Sequence, residues 1–133
     1  MKHIEVAAAV IVVENKILCV QRGKNKYDYI SYKYEFPGGK LEKGETPEGA
    51  VIREVREELN LEITNLQHFL TVTHAYPDFN ITLHSFLCTC ATREMTLTEH
   101  IDAKWMDRDL IAVLDWAEAD IEVVDKIVYA TFE

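Results

Sequence analysis

The chain has 133 residues, of which 48% are hydrophobic, and its formal net charge is -9. This length allows one sizeable hydrophobic core, so we expect a single domain that spans residues 1–133. The excess of 23 Asp and Glu over 14 Lys and Arg excludes a nucleic-acid polymer as the expected partner, because phosphate backbones are bound through basic surfaces.

Neither a membrane segment nor a disulfide framework is expected. The apolar run 6–13 is too short to span a membrane, and Glu5 directly before it does not fit a signal peptide. Cys19, Cys88 and Cys90 are odd in number and lack the spacing of a zinc site, so we predict reduced, buried cysteines. We therefore expect a cytoplasmic protein that is a monomer or a homodimer.

The first part of the chain predicts strands and one long loop. Strands are expected at 3–13 and 16–22, joined by a tight turn at Glu14 and Asn15. A loop rich in Tyr and Lys follows at 23–33, and a short strand at 34–36 leads into a Pro-Gly-Gly segment.

A helix is predicted over residues 47–59. Thr46 is the expected N-cap, and a proline occupies the first helical position, where its missing N–H costs nothing. Glu54, Glu57 and Glu58 fall on one stripe of this helix, about a quarter-turn from an apolar stripe. The apolar stripe consists of Val51, Ile52, Val55 and Leu59.

Three carboxylates on one helix stripe predict a bound cation. Like charges at this spacing destabilise a bare helix by a few tenths of a kcal/mol per pair, and oxygen ligands suit Mg²⁺ or Mn²⁺ joined to phosphates. A solvated helix face with pairs such as Arg53–Glu57 is the alternative. The loop before the helix, with glycines at 38–39 and Gly44, can approach an anion closely, which favours a metal–polyphosphate site.

The remaining elements complete a mixture of strands and helices. This pattern is typical of an α/β arrangement with helices on both faces of a mixed sheet. The predicted elements are strands at 66–76 and 81–90 across a turn at 77–80, a short strand at 103–106, a brief helix at 108–113 and a final helix at 119–132.

Residues 39–61 resemble the Nudix box, Gly-x5-Glu-x7-Arg-Glu-U-x-Glu-Glu-x-Gly-U, in which U is a bulky aliphatic residue. Asn60 stands where the family has glycine, and we expect little effect because Asn tolerates the left-handed conformation. The resemblance implies the Nudix α/β/α sandwich, with a mixed β-sheet between helices, over nearly the whole chain. The matching positions are Gly39, Glu45, Arg53, Glu54, Val55, Glu57, Glu58 and Leu61.

The flanks of the box resemble the MutT-type nucleoside triphosphate pyrophosphohydrolases. Residues 34–40 match their Glu-Phe-Pro-Gly-Gly-Lys segment, and residues 119–121 resemble the element that opens their last helix. The resemblance implies a small nucleotide as substrate and Mg²⁺ as cofactor, with Mn²⁺ as a substitute. Water attacks an internal phosphorus, and a triphosphate yields a monophosphate and pyrophosphate. Such catalysis neutralises charge and aligns the water.

The resemblance also implies roles for the box residues. Glu54, Glu57 and Glu58, with the Gly38 carbonyl, would hold the metals, and Glu54 is the favoured acceptor of the proton from water. Arg53 would orient Glu54 through a charge-assisted bond, although a plain helix ion pair is the alternative.

Further positions complete the implied site. Glu45 would brace the loop against the helix, and Gly39 is a structural position of the motif. Glu99 is the candidate for a further catalytic acid and metal ligand, because it lies six residues before Trp105, as an acid does in MutT. An ordinary loop glutamate is the alternative for Glu99, and His100 is an alternative for proton transfer.

Substrate-binding candidates lie outside the box. Arg22 and Lys40 could contact phosphate, although Lys40 could equally be solvated. Asp120 stands where MutT-type proteins place an Asn or Asp against the base, or it could be the N-cap of the final helix. Phe79 could stack on a base, although such aromatic side chains commonly pack against the protein. The other aromatic candidates are Tyr27, Tyr29, Tyr32 and Tyr34.

Several functions fit this site. The element at 119–121 resembles that of the CTP-type pyrophosphohydrolases, which implies CTP, dCTP or a modified nucleotide as substrate, and 8-oxo-dGTP is the alternative. Pro77 lies sixteen residues past the box, a spacing associated with ADP-ribose hydrolases, but its place in a predicted hairpin turn already explains it. A non-catalytic Nudix-like binding module is disfavoured, because such a module could lose the three glutamates that this chain keeps.

Overall fold

The computed structural model describes residues 1–129, which form seven strands and flanking helices. The strands are β1 (His3–Val13), β2 (Lys16–Gln21), β3 (Tyr34–Glu35), β4 (Gly38–Lys40), β5 (Ile63–Ala75), β6 (Asn80–Cys90) and β7 (Asp102–Asp107). The helices are α1 (Pro47–Leu59), α2 (Glu118–Tyr129) and a 3₁₀ helix at Arg108–Val113.

The sheet is mixed, and β1 is its central strand. β1 pairs in parallel with β6, and it pairs antiparallel with β2 at one end and with β4 nearer the other. β5 is antiparallel to β6, while β3 and β7 are both antiparallel to β2. The turn between β1 and β2 uses Glu14 and Asn15 with positive φ angles, as a two-residue hairpin with right-handed strand twist requires.

Helices cover both faces of the sheet. Successive residues of a strand face opposite sides, so Ala7 and Ala9 of β1 pack with the apolar side of α1. Ala8 and Val10 point the other way and pack with α2 and the 3₁₀ helix. The predicted α/β/α arrangement with a mixed sheet is therefore confirmed.

α1 begins and ends at the predicted caps. The Thr46 hydroxyl accepts a hydrogen bond from the Gly49 N–H at 3.1 Å, and Pro47 follows directly. Asn60 takes the left-handed conformation with φ 56°, and its N–H donates to the Arg56 carbonyl. Asn60 therefore ends the helix in the conformation that a glycine would supply.

The segment at 38–40 was expected to be a loop, and that prediction was wrong. Gly38 and Gly39 pair with Ala8 and Ala7 of β1, which makes them part of strand β4. Glycine has low strand propensity, so the local sequence indicates a loop. The pairing needs glycine because a Cβ on Gly38 would lie 2.0 Å from the Ala7 carbonyl oxygen.

The other elements lie close to their predicted places. The helix at 108–113 is a 3₁₀ helix, and α2 begins at Glu118; the predicted continuation over 130–132 lies outside the described residues. Cys19, Cys88 and Cys90 are free and buried as predicted, and burial raises the pKa of Cys19 to about 12. Within residues 1–129, no helix has the length and apolar character needed to cross a membrane.

Replacing Gly38 with alanine is expected to lower the free energy of unfolding by roughly 3 kcal/mol or more, because the new methyl group meets the backbone of β1. Urea denaturation followed by circular dichroism measures this change. Gly44→Ala is the control, since its Cβ meets nothing within 4 Å and the cost there is only that of its positive φ, about 1 kcal/mol. Equal stability of the two variants would contradict the close approach of β4 to β1.

Candidate metal and nucleotide site

One cavity of about 640 Å³ collects most of the predicted site residues. It is bounded by β4, by the inner side of α1, by the loop after β2 and by the first turn of α2. Its size suits a nucleotide-sized ligand. The predicted residues that line it are Arg22, Gly38, Gly39, Lys40, Glu54, Glu58, Phe79, Glu99 and Asp120.

Glu58 is the most deeply buried carboxylate of the box. Its residue is 8% exposed, and its Oε1 atom is buried with no hydrogen-bond partner. Burial and the negative charges of Glu54, Glu35 and Glu99 raise the pKa of Glu58 to about 9. A buried oxygen of this kind is costly unless a proton or a cation compensates it. The environment of Glu58 therefore fits a cation ligand.

Glu54 lies directly over β4. A Cβ on Gly39 would lie 2.5 Å from the Glu54 carboxylate, so the absence of a side chain at Gly39 makes room for this group. The Oε1 atom of Glu54 accepts a hydrogen bond from Arg53 Nη1 at 2.8 Å. The glycine of the motif and the glutamate on the helix therefore form one contact.

Arg53 ties the loop, the strand and the helix together. It donates two hydrogen bonds to Glu45, from Nε at 2.8 Å and from Nη2 at 2.9 Å, and a third to the Lys40 carbonyl at 3.2 Å. These bonds lower the pKa of Glu45 to about 2 and raise the pKa of Arg53. Both interpretations of Arg53 fit the geometry, because it bonds to Glu54 and also to Glu57 at 3.3 Å.

Glu57 does not share the cavity with Glu54 and Glu58. Its side chain is 59% exposed, and its Oε2 atom is held by Arg53. Within residues 1–129, no group of three or more His, Cys, Asp or Glu side chains is already arranged around a metal position. The all-oxygen set of Glu54, Glu58, Glu99 and the Gly38 carbonyl nevertheless has the chemistry that Mg²⁺ and Mn²⁺ prefer.

Glu99 reaches the site from the loop after β6, where it interacts with Glu58. His100 beside it is buried, and its Nε2 atom lies 3.1 Å from Glu35 Oε2 and 4.0 Å from Glu58 Oε2. Sequence reasoning missed Glu35, which also lies 3.5 Å from Arg22 Nη1. The sequence offered one indication of Glu35, which was its position directly before the Phe-Pro-Gly-Gly segment.

Asp120 lines the cavity from the first turn of α2. It is 6% exposed, and its Oδ1 atom accepts a hydrogen bond from the Phe36 N–H at 3.4 Å. Burial and the nearby Glu35 carboxylate raise the pKa of Asp120 well above its usual value. Because Asp120 is inside the first turn of α2, it does not take the N-cap position that was its alternative role.

Aromatic side chains form the wall beside Asp120. Phe79 is buried and lines the cavity, with its ring centroid 5.7 Å from Tyr27 and 5.1 Å from Tyr76. Tyr27 also lines the cavity. The other aromatic candidates, Tyr29, Tyr32 and Tyr34, do not line it, and the Tyr34 hydroxyl donates to Asp102 at 2.8 Å.

Cationic side chains line the same cavity as the carboxylates. In a chain with a net charge of -9, their concentration here favours an anionic ligand. Sequence reasoning singled out two of them and missed the other three, which come from the N-terminus and the loop after β2. The cationic residues are Lys2, Arg22, Lys24, Lys26 and Lys40.

Comparison with known proteins gives consistent results. An 8-oxo-dGTP diphosphatase from Proteus vulgaris is 41% identical over 96 residues, which cover 71% of this chain and 84% of that protein. A CTP pyrophosphohydrolase from Escherichia coli is 31% identical over 125 residues, covering 94% of this chain and 91% of that one. The solution structure of a MutT protein from methicillin-resistant Staphylococcus aureus has a TM-score of 0.75 and 39% identity, and covers 96% of this chain and 98% of that chain.

The NUDIX domain family matches residues 1–127, which is nearly the whole chain. The mixed sheet between helices and the box on α1 agree with this match. Members of the family are hydrolases that act on small nucleotides and generally use divalent metal ions. The chain is therefore an enzyme of the Nudix hydrolase family.

Proposed function

We propose that this enzyme is a Mg²⁺-dependent nucleoside triphosphate pyrophosphohydrolase, which converts a triphosphate and water into a monophosphate and pyrophosphate. The observation that carries the proposal is the single cavity that joins buried carboxylates, a cationic lining and an aromatic wall. The carboxylates and the cationic side chains suit a metal-bound triphosphate, and the aromatic wall suits a nucleobase. A cytoplasmic location follows from free nucleotides as substrates, and a monomer or homodimer stays a prediction.

The proposed metal ligands are Glu54, Glu58, Glu99 and the Gly38 carbonyl, with Glu57 joining them if it leaves Arg53. A bound divalent cation would neutralise phosphate charge and polarise the attacking water. Glu54 would accept the proton from that water, and Arg53 would hold the carboxylate in place through its 2.8 Å hydrogen bond.

Lys40 and Arg22 would bind phosphate oxygens at the edge of the cavity. Both line it, and Lys40 follows the two glycines of β4 directly. A bound phosphate would supply the negative charge that these two side chains can pair with. Arg22 already lies 3.5 Å from the Glu35 carboxylate, which pairs with part of its charge. Glu45 would act through Arg53, because it holds the guanidinium with two hydrogen bonds and does not line the cavity.

We propose a cytidine triphosphate, CTP or dCTP, or a modified nucleotide as substrate. Burial and the charge of Glu35 favour the protonated form of the Asp120 carboxyl, which would offer one donor and one acceptor. Cytosine presents a matching acceptor and donor side by side. The oxidised base of 8-oxo-dGTP presents the same pair, so it is the second candidate, and relatives of both names support the two equally.

Replacing Asp120 with alanine is expected to change the preference among bases more than the rate on the best base. The ratio of kcat/KM between the preferred and the next triphosphate should fall by roughly 10-fold, because alanine cannot hydrogen-bond to the base. Asp120→Asn keeps a donor and an acceptor and should preserve much of the preference. An equal loss on all bases would instead indicate a structural role for Asp120.

A panel of substrates tests the proposed function. Purified enzyme with Mg²⁺ is assayed by chromatography for nucleoside monophosphate, pyrophosphate and orthophosphate formed from CTP, dCTP, 8-oxo-dGTP, the other common triphosphates and ADP-ribose, which would yield AMP and ribose 5-phosphate. We expect pyrophosphate and the monophosphate from a cytidine triphosphate. Release of orthophosphate, or turnover of ADP-ribose alone, would contradict the proposal. Nucleotide binding without turnover would support the non-catalytic alternative.

A further inference from the structure

The loop between β2 and β3 forms one wall of the proposed nucleotide cavity. This loop, residues 22–33, contributes Arg22, Lys24, Lys26 and Tyr27 to the lining, and the first three of these are cationic. Its two ends are joined by a hydrogen bond from the Arg22 N–H to the Lys33 carbonyl at 3.0 Å. Further backbone hydrogen bonds inside the loop join Tyr32 to Gly23 and Ile30 to Tyr27. Side-chain contacts, including those of the buried Ile30, hold this folded loop against the rest of the protein.

Aromatic rings join this loop to the turn between β5 and β6. Tyr29 stacks between Tyr27 and Tyr76, with centroid distances of 5.3 and 5.4 Å. Phe79 completes the group by contacting both Tyr27 and Tyr76. We call these four residues the aromatic cluster. Each such ring pair adds a modest stabilisation, so the loop is held against the turn by several weak contacts.

One polar contact accompanies the rings. The Tyr29 hydroxyl donates a hydrogen bond of 2.7 Å to Asp78 Oδ2, which lies in the turn. A bond to a carboxylate is stronger than one between neutral groups. Desolvation by the neighbouring groups and this bond raise the pKa of Tyr29 to about 12, so the phenol keeps its proton at neutral pH. The bond lies at the exposed surface, where water competes for both of its partners.

The aromatic cluster also contacts the end of the cavity where the base is proposed to lie. The Tyr76 hydroxyl accepts a hydrogen bond of 3.0 Å from the Ala119 N–H, one residue before Asp120. The loop, the turn and the start of α2 are thus linked around one side of the cavity. Asp78 lines the cavity but Tyr29 does not, so the effect of Tyr29 on a ligand must pass through its neighbours.

We propose that Tyr29 and Asp78 are positioning residues, whose hydrogen bond holds the 22–33 loop closed so that Tyr27, Lys24 and Lys26 face the nucleotide. The identity of that ligand rests on the proposed function. Loss of the bond lowers the closed fraction of the enzyme, and the apparent KM rises by the same factor. The value of kcat at saturation changes little, because Glu54 and Glu58 lie on α1 and keep their contacts.

The test is a double-mutant cycle with Tyr29→Phe and Asp78→Asn, read first by limited trypsin digestion. Mass spectrometry measures cleavage after Lys24 and Lys26, relative to cleavage after Arg56 in α1, which requires a larger unfolding. We expect each single variant to raise loop cleavage by roughly 3- to 10-fold, and the double variant to match the singles. The KM for CTP of Tyr29→Phe should rise by no more than this factor, because KM follows the closed fraction whereas cleavage follows the open one, and kcat should stay within about twofold.

A matched cycle on Lys16→Met and Asp107→Asn is the control. These residues form an exposed pair of 2.7 Å between β2 and β7, away from the loop, and neither change should affect loop cleavage or KM. The inference is overturned if loop cleavage of the Tyr29 and Asp78 variants is native, or if their effects multiply in the double variant. It is also overturned if kcat falls while KM stays constant.

The proteolysis cycle needs no turnover, so the two proposals can fail separately. Coupled loop protection in a protein that releases no pyrophosphate would refute the proposed function and keep the positioning role. Pyrophosphate release with uncoupled, native-like loop cleavage would refute the positioning role alone. Thermal denaturation of every variant ensures that faster loop cleavage does not reflect global loss of stability.

Discussion

Replacing Glu54 with glutamine is expected to lower kcat by roughly 100-fold or more, because the amide can neither accept the proton from water nor bind a cation as a carboxylate does. The amide is close in size to the carboxylate, and its oxygen can still accept the hydrogen bond from Arg53, so the fold should be kept. Steady-state pyrophosphate release at saturating Mg²⁺ and CTP measures the effect. Saturating metal separates lost proton transfer from weakened metal binding.

Glu48→Gln is the matched control for this experiment. Glu48 is an exposed carboxylate in the first turn of the same helix, and it does not line the cavity. Its replacement should leave kcat within about twofold of the native value. A Glu54→Gln variant with near-native kcat would move the proton acceptor to Glu99 or His100, which the corresponding Glu99→Gln and His100→Asn variants would then identify.

Replacing Gly39 with alanine is expected to lower kcat by roughly 10- to 100-fold without unfolding the protein. The new Cβ would lie 2.5 Å from both Cδ and Oε2 of Glu54, so the carboxylate has to move away from β4. Misplacing a reacting group by about 1 Å can cost about 100-fold in rate. Kinetics under the same saturating conditions and urea denaturation together measure the two effects.

The neighbouring glycine provides the contrast. Alanine at Gly39 meets the end of a flexible side chain, whereas alanine at Gly38 meets the backbone of β1. The free energy of unfolding of Gly39→Ala should therefore stay within about 1 kcal/mol of the native value, well above that of Gly38→Ala. Native kcat in a folded Gly39→Ala variant would show that the position of Glu54 over β4 is not needed for activity.

The parts of the fold with local signals were predictable from the sequence. Thr46 and Asn60 cap α1 because their side chains and backbone preferences act within one helical turn. Strand β4 was not predictable in this way. Its glycines have low strand propensity. They form a strand only because they pair with Ala7 and Ala8 of β1, about thirty residues earlier in the chain.

The candidate site likewise has residues that local spacing predicts and residues that depend on contacts with other side chains. The spacing of the box places Glu54 and Glu58 on one side of α1, and both line the cavity. Spacing offered both a metal role for Glu57 and an ion pair with Arg53, and it could not decide between them, because that choice depends on a hydrogen bond between side chains. Glu35 was missed because its partners, Arg22 and His100, come from distant parts of the chain.

The same limit applies to the loop beside the cavity. Tyr29 and Asp78 are 49 residues apart in sequence, and neither belongs to a motif that indicates their contact. Tyrosines in a loop are compatible with stacking on a base, with packing, or with exposure. In the structure Tyr27 lines the cavity, Tyr29 packs against other rings and Tyr32 is exposed. Lys24 and Lys26 were unremarkable as part of a polar loop until the fold placed them at the cavity.

Anomalous diffraction from crystals grown with Mn²⁺ and a non-hydrolysable cytidine triphosphate analogue tests the central claim most directly. The account predicts manganese peaks bound by Glu54, Glu58 and the Gly38 carbonyl, in contact with the phosphates of a nucleotide whose base lies beside Asp120. Manganese bound elsewhere, with these carboxylates far from the phosphates, would contradict it.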